Sequence, residues 1–111
     1  MEAALHPHPN PFDCRRIERA LAQRERYQYV TPRVVPDEED RGYRIESPCC
    51  SRNVEPNGGI IDIALIKYFA PHWLLYRKDH EYSTWVLHSV TDTLNDALGI
   101  LLPDQERVFW P

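Results

Sequence analysis

No apolar run in this chain approaches the ~20 residues that a bilayer-spanning helix needs, so no membrane insertion is expected. Lysine is nearly absent, with Lys67 and Lys78 the only two. Combined with a formal net charge of −4 and a pI near 5.7, that scarcity argues against a dedicated nucleic-acid binder, because phosphate neutralisation needs clustered cations. Cysteine is scarce and odd in number: Cys14 stands alone, and Cys49 and Cys50 are adjacent. That excludes a disulfide framework and suits reduced thiols in a cytoplasmic protein. The first ten residues carry neither a basic n-region nor an apolar h-region, so no secretory signal is expected there. Walker loop, dinucleotide fingerprint and H-E-x-x-H are all missing. No catalytic residue, metal site or cofactor is therefore expected, and an enzyme is not the favoured reading.

What is present is an ordinary globular composition, 42% hydrophobic and 27% charged over 111 residues. A chain of this length buries roughly 65% of its unfolded surface in one domain without staples. Its centre is Ile60 to Val90, where three runs rich in β-branched and aromatic residues predict strands at 60–68, 73–77 and 84–90. Sequence leaves the last hairpin in two registers, with either Leu75 or Tyr76 opposite Trp85. Both faces of these strands carry apolar groups. A helix is expected on one side and a curled sheet or a second subunit on the other.

Upstream, His6-Pro7-His8-Pro9 forms neither helix nor ladder, so residues 1–9 read as a flexible arm and 10–111 as the single domain. Asn10-Pro11-Phe12-Asp13 starts a helix: a capping amide, a proline at the first position, an acid near the positive dipole end. Cys14, Ile17, Ala20 and Leu21 make its apolar stripe. Arg15, Arg16, Arg19 and Arg26 lie to the other side, a candidate nucleic-acid face or a solvated one paired with Glu18 and Glu25. Tyr27 to Val35 reads as an edge strand because of Pro32, and Tyr43 to Ser47 as its hairpin partner across an acidic turn over 36–42. After the irregular 48–59 segment and the central strands, Asp92 to Leu102 predicts a second helix with a Thr93–Asp96 cap and a Leu94, Ala97, Leu98, Leu101 stripe. The tail with Phe109 and Trp110 is too apolar to float; it packs on the sheet or forms an interaction surface.

Three groups of residues raise chemical possibilities. The vicinal Cys49-Cys50 pair is a redox candidate, although it lacks C-x-x-C spacing and suits metal poorly. Asp62, a lone acid in an apolar strand, calls for a cation such as Arg44 or Arg77. His80 reads as a turn histidine, and His88 is expected beside Trp73. No serine or cysteine nucleophile is tied to any histidine by spacing.

The segments Trp73-Leu-Leu-Tyr-Arg77, Trp85-Val-Leu87 and Asp104-Gln-Glu-Arg-Val-Phe-Trp110 resemble a family of small bacterial domains of unknown function. That family shares a W-x-L-Y strand, a second tryptophan strand, a leucine helix and a D-x-x-x-x-F-W ending. The resemblance implies a bacterial source and no activity. The order of elements is also similar to the Sm-like small barrel, without the Sm motifs. The expected fold is α+β: an N-terminal helix, a strongly bent five-stranded antiparallel sheet and a C-terminal helix. The expected function is a self-associating, dimeric protein-interaction module. Binding of RNA or single-stranded nucleic acid through the arginine face is the alternative, and redox or metal chemistry at Cys49 and Cys50 the second.

Overall fold

The computed structural model describes residues 7–23, 31–48 and 59–110. Helix α1 spans Pro11–Ala22, and α2 spans Leu94–Leu101. Both start as anticipated: Asn10 Oδ1 accepts the Asp13 N–H at 2.9 Å, and Thr93 Oγ1 accepts the Asp96 N–H at 3.0 Å. Each cap satisfies an amide that has no partner inside its helix. Between the helices run β1 (Arg33–Asp37), β2 (Gly42–Pro48), β3 (Ile60–Phe69), β4 (His72–Asp79) and β5 (Thr84–Thr91). They form one antiparallel sheet in the order β1-β2-β3-β4-β5. Register shifts at Ile45/Glu46 and Leu75/Tyr76 bend it, as bulges do. The α+β expectation is met. Among the described residues β1 and β5 are the two edges of the sheet, and the Sm-like likeness is not shown.

Alternation along the strands sorts the two faces. Tyr43 and Ile45 of β2, Ala64 and Ile66 of β3, and Trp73 and Leu75 of β4 all enter the core. Ile17 and Leu21 of α1, the whole predicted stripe of α2, and Phe109 and Trp110 join the same cluster. Arg16 Nη2 donates to Asn95 Oδ1 at 3.2 Å, so the helices lie side by side over one face of the sheet. Burying each such aliphatic or aromatic side chain contributes about 1.5–3 kcal/mol.

Several local expectations are corrected. β4 continues to Asp79, and Trp85 stands opposite Lys78, so neither anticipated register occurs. Asp79 Oδ1 accepts the Glu81 and Tyr82 amides at 3.0 and 3.2 Å, closing a tight turn that sequence reading placed too early. β1 includes Pro36 opposite Tyr43; proline is tolerated there because the strand is an edge. Tyr27 to Val30 lie outside the described residues. His88 sits away from Trp73, which pairs with Thr91. The arm expected over 1–9 is docked where it is described: His8 is wedged among Tyr43, Tyr68 and Trp73.

The tail is fixed by Asp104, which is 1% exposed. Its carboxylate accepts the amides of Val108 (2.8 Å), Phe109 (3.2 Å) and Trp110 (2.9 Å). Trp110 Nε1 then donates to the Leu101 carbonyl at 3.0 Å, serving one of the orphan acceptors at the end of α2. Phe109 and Trp110, anticipated as an interaction surface, are 2% and 8% exposed. Their apolar area is taken up by the chain's own core.

Candidate functional site

The sheet face opposite the helices is the first candidate. Register places Arg44, Leu65, Tyr76 and Leu87 in one row across β2 to β5, with Gly42, Lys67, Leu74 and Val90 in the next. Leu87 and Val90 are 48% and 55% exposed, on the edge strand. Lys67 Nζ lies 5.1 Å from the Tyr76 ring centre and Lys78 Nζ 4.6 Å from that of Trp85, so lysine stems cover part of the aromatic surface.

The β1–β3 side of this face carries a balanced charge network. Asp62 is met by Lys78 at 3.2 Å and by Arg44 at 3.3 Å, which identifies Arg44 rather than Arg77 as its arginine partner. Arg44 also reaches Glu46 at 3.2 Å and Asp37 at 3.6 Å, and Arg33 pairs with Glu46 at 3.0 Å. Arg44 Nε is buried and makes no hydrogen bond; the Asp62 oxygen beside it lies out of line. These pairs are half-buried and networked. They fix the strand surface and leave it without net charge.

The edges differ. β1, Arg-Val-Val-Pro-Asp, is short, carries two charges, and has a proline that cannot donate to a ladder. β5, Thr-Trp-Val-Leu-His-Ser-Val-Thr, has no proline and no acid, lysine or arginine over its eight residues. β1 is blunted by proline and charge, whereas β5 carries only the bulge at His88.

The second candidate is a cleft of about 480 Å³ between the start of α1 and the β3–β4 turn, lined by His8, Asn10, Phe12, Asp13, Arg16, Tyr68 and Trp73. Tyr43 lies behind His8. Its hydroxyl accepts the Asn10 N–H at 2.9 Å and meets His8 Nδ1 at 2.8 Å. Burial pushes the Tyr43 hydroxyl up to about 12, with Asp13 and Cys14 adding to the effect and the Asn10 N–H and Arg16 opposing it. A phenol held protonated is a hydrogen-bond donor and a poor base. The linkage is direct: unfolded tyrosine ionises near 10, so stability is present below pH ~10 and lost as pH rises through about 12. Stability from urea unfolding should fall across that interval, and Tyr43→Phe should flatten the fall; an unchanged alkaline slope would refute this coupling.

The remaining residues singled out by sequence are dispersed. Arg15, Arg16 and Arg19 are exposed on α1, but Arg16 is held by Asp13 at 2.9 Å and by Asn95. Arg26, Cys49 and Cys50 lie outside the described residues. Cys14 packs against the core, and burial together with Glu18 raises its thiol's pKa, which makes it a poor nucleophile. The pKa of His80 is lowered by burial and Lys78, with Asp62 and Asp79 pulling the other way. One arrangement was missed from sequence. His88 Nδ1 lies 2.6 Å from Ser89 Oγ, and Nε2 lies 3.0 Å from Glu106 Oε1. The bulge between β4 and β5 is what lets two consecutive side chains meet. Glu106 is largely exposed, and Ser89 stands opposite Leu75 of β4. Among the described residues no group of acids, histidines and cysteines is spaced to hold a metal, and no helix is long and apolar enough to cross a membrane.

A family model described as Domain of unknown function (DUF3024) matches residues 5–111. The resemblance to an uncharacterised domain family is thus shown, and it extends well beyond the C-terminal motifs. No curated protein and no solved structure matches.

Proposed function

Since the chain belongs to the DUF3024 family along nearly its whole length, we propose that it is a non-enzymatic interaction module that associates with a second copy of itself. The observation that carries this reading is the β5 edge, which lacks proline, acid, lysine and arginine and has Leu87 and Val90 exposed on it. Eight residues of strand are about 26 Å long, enough for an antiparallel pair with the same strand of another copy on either side of the His88 bulge. A two-fold arrangement would place no acid, lysine or arginine across the new pair, because β5 carries none. The charge network of Asp37, Glu46 and Asp62 with Arg33, Arg44 and Lys78 is internally neutralised and opposes no approach.

Sedimentation velocity across a hundredfold range of concentration tests the reading. The expected result is a dimer that Leu87→Lys with Val90→Lys converts to monomer, while circular dichroism and thermal midpoint stay close to the parent. A parent chain that remains monomeric at high concentration would sink it. Nucleic-acid binding through α1 is the weaker alternative because Arg16 is already engaged. Salt-dependent binding of labelled single-stranded RNA, lost on Arg15→Ala with Arg19→Ala, would put that alternative in its place.

A further inference from the structure

The seat of His8 has more features than a packing contact requires. Three rings surround the imidazole: Tyr43 edge-on at 5.9 Å and 81°, Trp73 edge-on at 5.0 Å and 78°, and Tyr68 tilted at 4.9 Å. At its base the Tyr43 hydroxyl accepts the Asn10 N–H at 2.9 Å and lies 2.8 Å from His8 Nδ1. Asn10 Nδ2 lies 3.3 Å from the same nitrogen and donates to the Pro7 carbonyl at 3.2 Å and to Asp13 Oδ2 at 3.1 Å. The seat therefore holds an imidazole nitrogen against a phenol hydroxyl inside an aromatic box. Asp13 Oδ2, 3.7 Å away, is shared with the Asn10 amide, and the other oxygen of Asp13 takes Arg16. The box opens onto the 480 Å³ cleft, whose lip is Phe12, 78% exposed on the first turn of α1. Phe12, Tyr68 and Trp73 give the cleft its apolar wall, and Asn10, Asp13 and Arg16 its polar one.

We propose that this box is a binding socket for small nitrogen heterocycles, and that His8 occupies it in cis. A free heterocycle competes with the arm for the socket. Trp73 and Tyr68 supply the stacking surface, and Tyr43 reads the nitrogen. The inference is independent of self-association, since the socket lies at the start of α1 and the proposed pairing edge is β5.

The test uses His8→Ala at pH 8, where imidazole is neutral, with imidazole and pyrrole as probes. Pyrrole has the same ring size and no acceptor nitrogen. Roughly 50 mM imidazole should raise the thermal midpoint of His8→Ala by about 4 °C or more. Pyrrole should raise it far less, and neither should move the parent chain. Adding Tyr43→Phe should abolish the preference for imidazole. Equal shifts from both probes would reduce the seat to a space to be filled and overturn the proposal, as would no shift from either. If His8→Ala does not fold alone, recovery of near-ultraviolet circular dichroism on refolding in imidazole but not pyrrole supports the socket, and failure in both refutes it.

Discussion

Asp104→Ala should lower stability to urea by about 3–5 kcal/mol, a large share of the ~5–15 kcal/mol that holds a domain of this size together. The carboxylate is 1% exposed and accepts three consecutive backbone amides, two of them on buried residues. Removing it leaves those donors without acceptors, two of them on residues that water barely reaches. Hydrogen bonds to a charged acceptor are also the stronger kind. Two further substitutions separate side chain from backbone. Asp104 has φ 43°, in the left-handed region that asparagine tolerates and glycine prefers. Asp104→Gly relieves that conformation while losing the carboxylate, so it should remain severely destabilised. Asp104→Asn keeps one acceptor oxygen but turns an NH2 toward an amide donor, and it should fall between. A loss under ~1 kcal/mol for Asp104→Ala would show that the tail is held by Phe109 and Trp110 packing alone.

The same residue shows where sequence reading stops. The D-x-x-x-x-F-W ending was legible as a motif, and its apolar tail was legible as something that must be buried. Why an acid stands five residues before Phe109 was not. The answer depends on the chain reversing at Asp104 and Arg107, both at positive φ in non-glycine residues, which no turn dipeptide announces. Helix starts, by contrast, were plain, because a cap and its amide are three residues apart and both are in view. Five antiparallel strands were legible as apolar runs separated by turns, but the pairing of β2 with β3 across the long 49–59 connection was not. Register was not legible either, because Lys78 and Asp79 look like turn residues until Asp62 is known to sit across from Lys78 at 3.2 Å.

Both candidate sites were half legible for a related reason. Two-sided apolar strands signalled a surface needing cover, but the difference between a blunted β1 edge and an open β5 edge required the strand order. His8 read as part of a proline-bounded arm. Its seat is assembled from β2, β3 and β4, so residues 35 to 65 positions away decide what it does. Long-range partners of that kind leave no local trace in composition or periodicity.

Gly42→Ala should be the second severe substitution, costing about 2–4 kcal/mol by urea unfolding. Gly42 begins β2 and pairs with Lys67. A Cβ at this position would come within 2.4 Å of the Ile66 carbonyl oxygen and 3.2 Å of Lys67 Cγ. The lysine stem can move; the carbonyl belongs to the backbone of the central strand and cannot move without displacing Ile66, which is wholly buried against the helices. The relief available is therefore a shift of β2 away from β3 at its first pair. That shift loosens Tyr43, the next residue, whose hydroxyl holds His8 and the amide before α1. A larger loss is expected for Gly42→Val, whose branched Cβ adds bulk at the same point. Amide exchange should report the damage in Tyr43 and Ile66 first, with β5 little changed. Gly99→Ala is the matched control, since an added Cβ there meets nothing within 4 Å and alanine favours the helix. If Gly42→Ala were as benign as Gly99→Ala, the close approach of β2 to β3 at this pair would be wrong.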